Sequence, residues 1–100
     1  METAYDVLFT ANAEKDLLNL KKLKESALDK IMDLEQNPLK GHILKGSLSG
    51  VRALKFSIKG VAYRAAYIVI EEDRVCLVFM IGPHEGFYEK AQRRAKTFGI

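Results

Sequence analysis

The sequence predicts an α+β domain of order β-α-α-β-β-β-α, in which an N-terminal helical hairpin packs on a small, mainly antiparallel sheet and a short amphipathic helix closes the chain. Three observations carry this prediction. Apolar residues recur at helical spacing through the first third, three β-rich runs separated by short turn signals follow, and helical spacing returns after residue 85. A chain of 100 residues, 48% hydrophobic and 29% charged, fits one domain over residues 1–100 with a core that needs no disulfide or structural metal.

Tyr5-Asp6-Val7-Leu8-Phe9 reads as a short strand, and Thr10 offers a hydroxyl to cap a helix beginning near Ala11. Leu17, Leu18 and Leu20 give that helix an apolar side, with Lys15, Lys21 and Lys22 outward. Ala27, Leu28, Ile31, Met32 and Leu34 then recur at helical spacing between Ser26 and Gln36, until Asn37-Pro38 ends the pattern. So short a link between two helices predicts an antiparallel hairpin. Gly41, Gly46, Ser47, Ser49 and Gly50 mark a loop.

Val51–Ile58, Ala62–Ile70 and Val75–Ile81 are rich in β-branched and aromatic residues and are separated by Lys59-Gly60 and Glu72-Asp73, which predicts an antiparallel meander. The third run is apolar on both parities, as a central strand covered on both faces should be. From Glu85 to Phe98, Phe87, Ala91, Ala95 and Phe98 alternate with Lys90, Arg93, Arg94 and Lys96 as in an amphipathic helix with a basic side.

Several function classes lack their residues. Cys76 lies in an apolar run and reads as a buried small hydrophobe, and His42 and His84 stand far apart with no second cysteine, so no metal and no cofactor are expected. Gly46-Ser47-Leu48-Ser49-Gly50 matches neither nucleotide-binding glycine spacing, and no serine is flanked as G-x-S-x-G. The longest apolar runs, such as Ala65–Ile70, fall far short of the roughly 20 residues of a spanning helix. The N-terminus shows no basic region followed by an apolar stretch, so the expected location is cytoplasmic, with no membrane partner.

The net charge is only +3, but its distribution is uneven. Residues 1–35 hold eight acids and five bases, and residues 71–100 hold five of each. Residues 36–70 carry Lys40, Lys45, Arg52, Lys55, Lys59 and Arg64 and not one Asp or Glu. Such a stretch makes a positive field whose natural partners are phosphates; a solvated cationic face is the plainer alternative.

The order of elements, Leu44-Lys45-Gly46 leading to Val51-Arg52-Ala53-Leu54-Lys55-Phe56, the pair Tyr63-Arg64 followed by Tyr67, and the ending Ile81-Gly82-Pro83-His84-Glu85-Gly86-Phe87-Tyr88 together resemble the RelE/ParE toxin superfamily. The resemblance spans nearly the whole chain. It implies the toxin of a type II toxin–antitoxin pair. In the RelE branch such a toxin cuts mRNA in the ribosomal decoding site; in the ParE branch it poisons DNA gyrase without nuclease chemistry.

Metal-free RNA cleavage needs a group to take the 2′-hydroxyl proton, charge to neutralise the phosphorane and a proton for the leaving 5′-oxygen. The resemblance implies Arg64, Lys55, His84 and Tyr88 for these roles, and Lys45, Arg52, Lys59, Arg93 and Arg94 as RNA-binding cations. Arg64 matches the family's phosphate-binding arginine in Y-R-x-x-Y, where a planar fork suits two oxygens of one phosphate. Period-two alternation puts Lys55 with Ala53 and Ser57 but Arg52 with Leu54 and Phe56, so without a bulge only Lys55 shares a face with Arg64.

His84 stands where many relatives have arginine, and an imidazole can give or take a proton near neutral pH. Tyr88 aligns with the family's C-terminal tyrosine, which assists proton transfer or stacks on a base. Whether Phe87 or Tyr88 packs inward is open, as is the division of acid and base among His84, Lys55 and Tyr88; Glu85 is a minor candidate base. The favoured expectation is a ribosome-dependent endoribonuclease, its four catalytic candidates converging on one concave site. A ParE-like gyrase inhibitor and an inactive RNA-binding relative are the alternatives. The implied partners are a cognate antitoxin, the ribosome and mRNA, with operator DNA reached only through the antitoxin complex.

Overall fold

A computed structural model of the chain describes residues 4–44, 46, 50–83 and 85–97. Strand β1 (Asp6–Phe9) leads through Thr10 into helix α1 (Ala11–Asn19), and the Thr10 hydroxyl accepts from Ala13 N–H at 3.1 Å, capping the helix as its sequence position predicts. A 3₁₀ turn at Lys21–Leu23 reverses the chain into α2 (Lys24–Met32), and a second at Asp33–Glu35 ends the hairpin. Next come β2 (His42–Ile43), β3 (Arg52–Ile58), β4 (Val61–Ile70), β5 (Val75–Pro83) and α3 (Phe87–Lys96).

The sheet order is β1-β5-β4-β3-β2. β1 lies parallel to β5 at one edge, and the other pairings are antiparallel. β2 is a strand where glycines at 41, 46 and 50 predict only loop. Its two residues pair with Ala53 and Arg52, a stretch too short to produce a periodic signal. The predicted Lys59-Gly60 turn is a two-residue hairpin with φ of 51° and 81°, the double positive φ that matches strand twist.

The two faces of the sheet carry separate cores. Ala13, Leu17, Ala27, Ile31 and Leu34 of the helical hairpin pack on Leu54, Ala65, Tyr67, Cys76, Val78 and Ile81. On the opposite face Phe87, Ala91 and Ala95 of α3 pack on Val51, Ala53, Ala66, Phe79 and Met80. A bulge in β5 makes this second core possible. Ala66 pairs with Met80 but Tyr67 pairs with Val78, so Phe79 is an extra residue and both Phe79 and Met80 turn toward α3.

Candidate active site

Register decides which cations share a face. Lys55 pairs with Arg64, and Arg64 with Gly82, so these three form one cross-strand row. The next row, Ala53, Ala66 and Met80, lies beneath α3. Directly opposed residues point the same way, and residues two apart share a face, so Lys55, Arg64 and Gly82 stand on the α3 face just past the helix's covering.

Gly82 contributes no side chain to this row, and a Cβ built there would meet no atom within 4 Å. The floor beside Arg64 is therefore open space. α3 walls it: the first turn of the helix buries Phe87 and leaves Tyr88 exposed, the two rings meeting edge to face at 5.7 Å. The Arg64 guanidinium lies over the Tyr88 ring, 5.1 Å from its centroid, and donates a hydrogen bond to the Tyr88 hydroxyl.

The structure thus brings Lys55, Arg64 and Tyr88 together. His84 and Lys45 lie outside the described residues. Lys55 lines a depression of about 240 Å³ and Tyr88 one of about 430 Å³.

The remaining cations expected at RNA are dispersed. Lys59 is exposed at the β3–β4 hairpin tip and Arg93 on α3. Arg52 is on the hairpin side of the sheet, where it donates to the carbonyls of Gly41 at 2.8 Å and Leu39 at 3.2 Å. It shares that work with its cross-strand partner Tyr67, whose hydroxyl accepts from Gly41 N–H at 2.9 Å and donates to the Pro38 carbonyl at 2.8 Å. Burial pushes the Tyr67 phenol above its ordinary pKa. Gly41 packs so closely that a Cβ would fall 2.9 Å from both the Ala53 carbonyl and the Tyr67 ring. Arg94 is ion-paired with Asp16 at 2.5 Å. Arg52 and Arg94 therefore both serve contacts within the fold.

The placing of two residues near this face escapes a reading by motif. Gly82 belongs to the Ile81–Tyr88 ending that carries the resemblance, but its place in the row with Lys55 and Arg64 is one that only register reveals. Asp16 bonds Arg94 and the Ile81 amide, and its available signal is an acid three residues after Ala13 and four before Leu20, on the apolar side of α1.

Among the described residues no helix is long and apolar enough to cross a membrane. Comparison with known proteins finds no curated sequence that matches the chain. Solved structures do match. A mutant Escherichia coli RelE toxin bound to an antitoxin RelB peptide superposes with TM-score 0.66 at 27% identity, covering 88% of this chain and 94% of that one. A mutant Escherichia coli RelE in the free state gives 0.73 at 24% identity, covering 94% and 97%, and a chain of the RelBE2 toxin–antitoxin complex from Mycobacterium tuberculosis gives 0.70 at 24%, covering 84% and 95%. The family model described as the ParE-like toxin of type II bacterial toxin–antitoxin systems matches residues 7–92, from β1 through most of α3. The chain therefore belongs to that toxin family, within the RelE/ParE superfamily.

Proposed function

We propose that this toxin is a ribosome-dependent, metal-independent endoribonuclease. The observation that carries the reading is the exposed group on the α3 face: a guanidinium in contact with a phenol, with an ammonium in the cross-strand position beside it. In this reading Arg64 holds two non-bridging oxygens of the scissile phosphate and neutralises the charge that grows on them. The 2′-hydroxyl loses its proton and attacks the adjacent phosphorus. The bond to the 5′-oxygen breaks, that oxygen takes a proton, and the products are a 2′,3′-cyclic phosphate and a 5′-hydroxyl. Lys55, Tyr88 and His84 are the groups that move these protons or stack on a base.

An open site with few strong acids and bases suits a toxin whose substrate is positioned by the ribosome, since orientation alone contributes several kcal/mol. The solved complex of RelE with an antitoxin RelB peptide supports a cognate antitoxin as partner; in this reading operator DNA is engaged only through the antitoxin complex. A second reading, inhibition of DNA gyrase without nuclease chemistry, is favoured by one finding, the ParE-like description of the matching family model.

The test is primer extension on a defined mRNA in a reconstituted translation reaction, with and without ribosomes. Cleavage within codons that requires ribosomes and falls about 100-fold or more in Arg64→Ala and His84→Ala is the expected result. Intact mRNA together with blocked supercoiling would replace it with the gyrase reading.

A further inference from the structure

β1 ends at Phe9, opposite Val78, where the chain turns away into α1. β5 runs on to Pro83, so its far end continues past the strand that flanks it. Two backbone groups of that stretch are bonded by side chains. Ile81 N–H donates to the Asp16 carboxylate at 2.9 Å, and the Phe79 carbonyl accepts from the Arg94 guanidinium at 3.2 Å. Asp16 and Arg94 also bond each other at 2.5 Å, with side chains only 17% and 25% exposed. One carboxylate from α1 and one guanidinium from α3 thus close the sheet edge and join helices that lie on opposite faces of the sheet.

This junction constrains α3 in a way its apolar contacts do not. The buried side of α3 is Phe87, Ala91 and Ala95, and two alanines offer few atoms to resist rolling of the helix about its axis. With side chains the helix radius is about 5–6 Å, so a roll of about 20° carries a side-chain tip about 2 Å. A hydrogen bond does not survive that displacement. Tyr88 is on the same helix as Arg94, six residues away, and its ring and hydroxyl both meet Arg64.

We propose that Asp16 and Arg94 are positioning residues whose ion pair sets the roll of α3 and thereby holds Tyr88 on Arg64. The effect on cleavage rests on the nuclease reading above; the effect on geometry does not. The role also separates Arg94 from the cations that meet RNA directly.

The test reads geometry and activity separately. In the NMR spectrum of the wild-type chain, the Arg64 side-chain protons carry a ring-current shift from Tyr88, and Tyr88→Leu supplies the value without it. Asp16→Asn keeps an oxygen for Ile81 N–H but removes the charge, and Arg94→Gln removes the partner. In both variants the Arg64 shift should fall by at least about half, and cleavage by about tenfold or more, since misplacement by an ångström is that costly. Ile31→Val, which trims the opposite core, is the control: it should lower Tm and leave the Arg64 shift in place. An unchanged shift in both pair variants, or an equal loss in Ile31→Val, overturns the proposal. A wild-type chain that cuts no mRNA but whose Arg64 shift depends on Asp16 removes the nuclease reading and upholds the positioning role.

Discussion

The two faces of the sheet are covered by different means. The hairpin face is sealed by two helices bringing Leu17, Ile31 and Leu34 onto Leu54, Tyr67 and Val78, whereas the α3 face is covered by one short helix with Phe87 and two alanines. Burying a Leu or Ile side chain contributes about 1.5–3 kcal/mol and an alanine much less, so stability concentrates on the first face. The second face keeps the row of Lys55, Arg64 and Gly82 in the open. In a chain of 100 residues, one face sealed by two helices holds the fold while the other leaves a row of side chains open.

Four substitutions or conditions test that division. Leu34→Ala, which empties a fully buried position at the end of the hairpin, should destabilise by about 2–5 kcal/mol in urea unfolding. A loss below about 1 kcal/mol would move the centre of stability elsewhere. Tyr67→Phe leaves Gly41 N–H and the Pro38 carbonyl without their shared partner and should cost about 1–3 kcal/mol, with mRNA cleavage unchanged at temperatures where the fold persists.

Gly82→Ala is the counterpart on the open face. The new methyl group meets no protein atom, so Tm should stay within a few degrees, while cleavage should fall about tenfold as the space beside Arg64 fills, about 1.4 kcal/mol in barrier. Full activity in this variant would show that the substrate does not use that space.

The smallest effect is one of pH. Burial pushes the Cys76 thiol up to about 11 in the folded chain, against an ordinary value near 9. The folded state therefore holds a proton that the unfolded state releases, and the contribution is complete below about pH 9 and is lost as pH rises toward 11. Tyr67, also shifted upward, acts in the same direction. Unfolding followed from pH 8 to 11 should show stability falling, less steeply in Cys76→Ala; an identical slope in the two chains would remove Cys76 as a cause.

Much of this architecture is legible in the sequence, because local chemistry specifies it. Thr10 before Ala11, Lys59-Gly60 between two β-rich runs, and the parity of Arg52 against Lys55 are short-range signals, and each corresponds to the observed cap, hairpin or face. The choice between Phe87 and Tyr88 is not legible, since adjacent aromatics on a helix differ by only 100° of rotation; the structure buries Phe87.

Contacts between distant residues leave no local trace. The Asp16–Arg94 pair spans 78 residues, and β1 lies beside β5 across most of the chain. The meeting of Arg64 with Tyr88 is intermediate. The family resemblance nominates both residues, but their contact depends on where α3 lands. The β5 bulge is hidden because Val75–Ile81 is apolar at every position, so an added residue disturbs no alternation.

That bulge gives the strand something like a reading frame. Counting by twos from Val78 would put Met80 and Gly82 on the hairpin side, yet Ile81 packs there and Met80 packs under α3. Every residue past Phe79 has changed sides. Inserting one residue just after Met80 would invert the end of β5, sending Ile81 toward α3 and exchanging the face that Gly82 presents beside Arg64, whereas removing Phe79 would erase the bulge and leave both on the faces they now occupy. The far end of β5 should therefore accept apolar exchanges far more readily than one added residue.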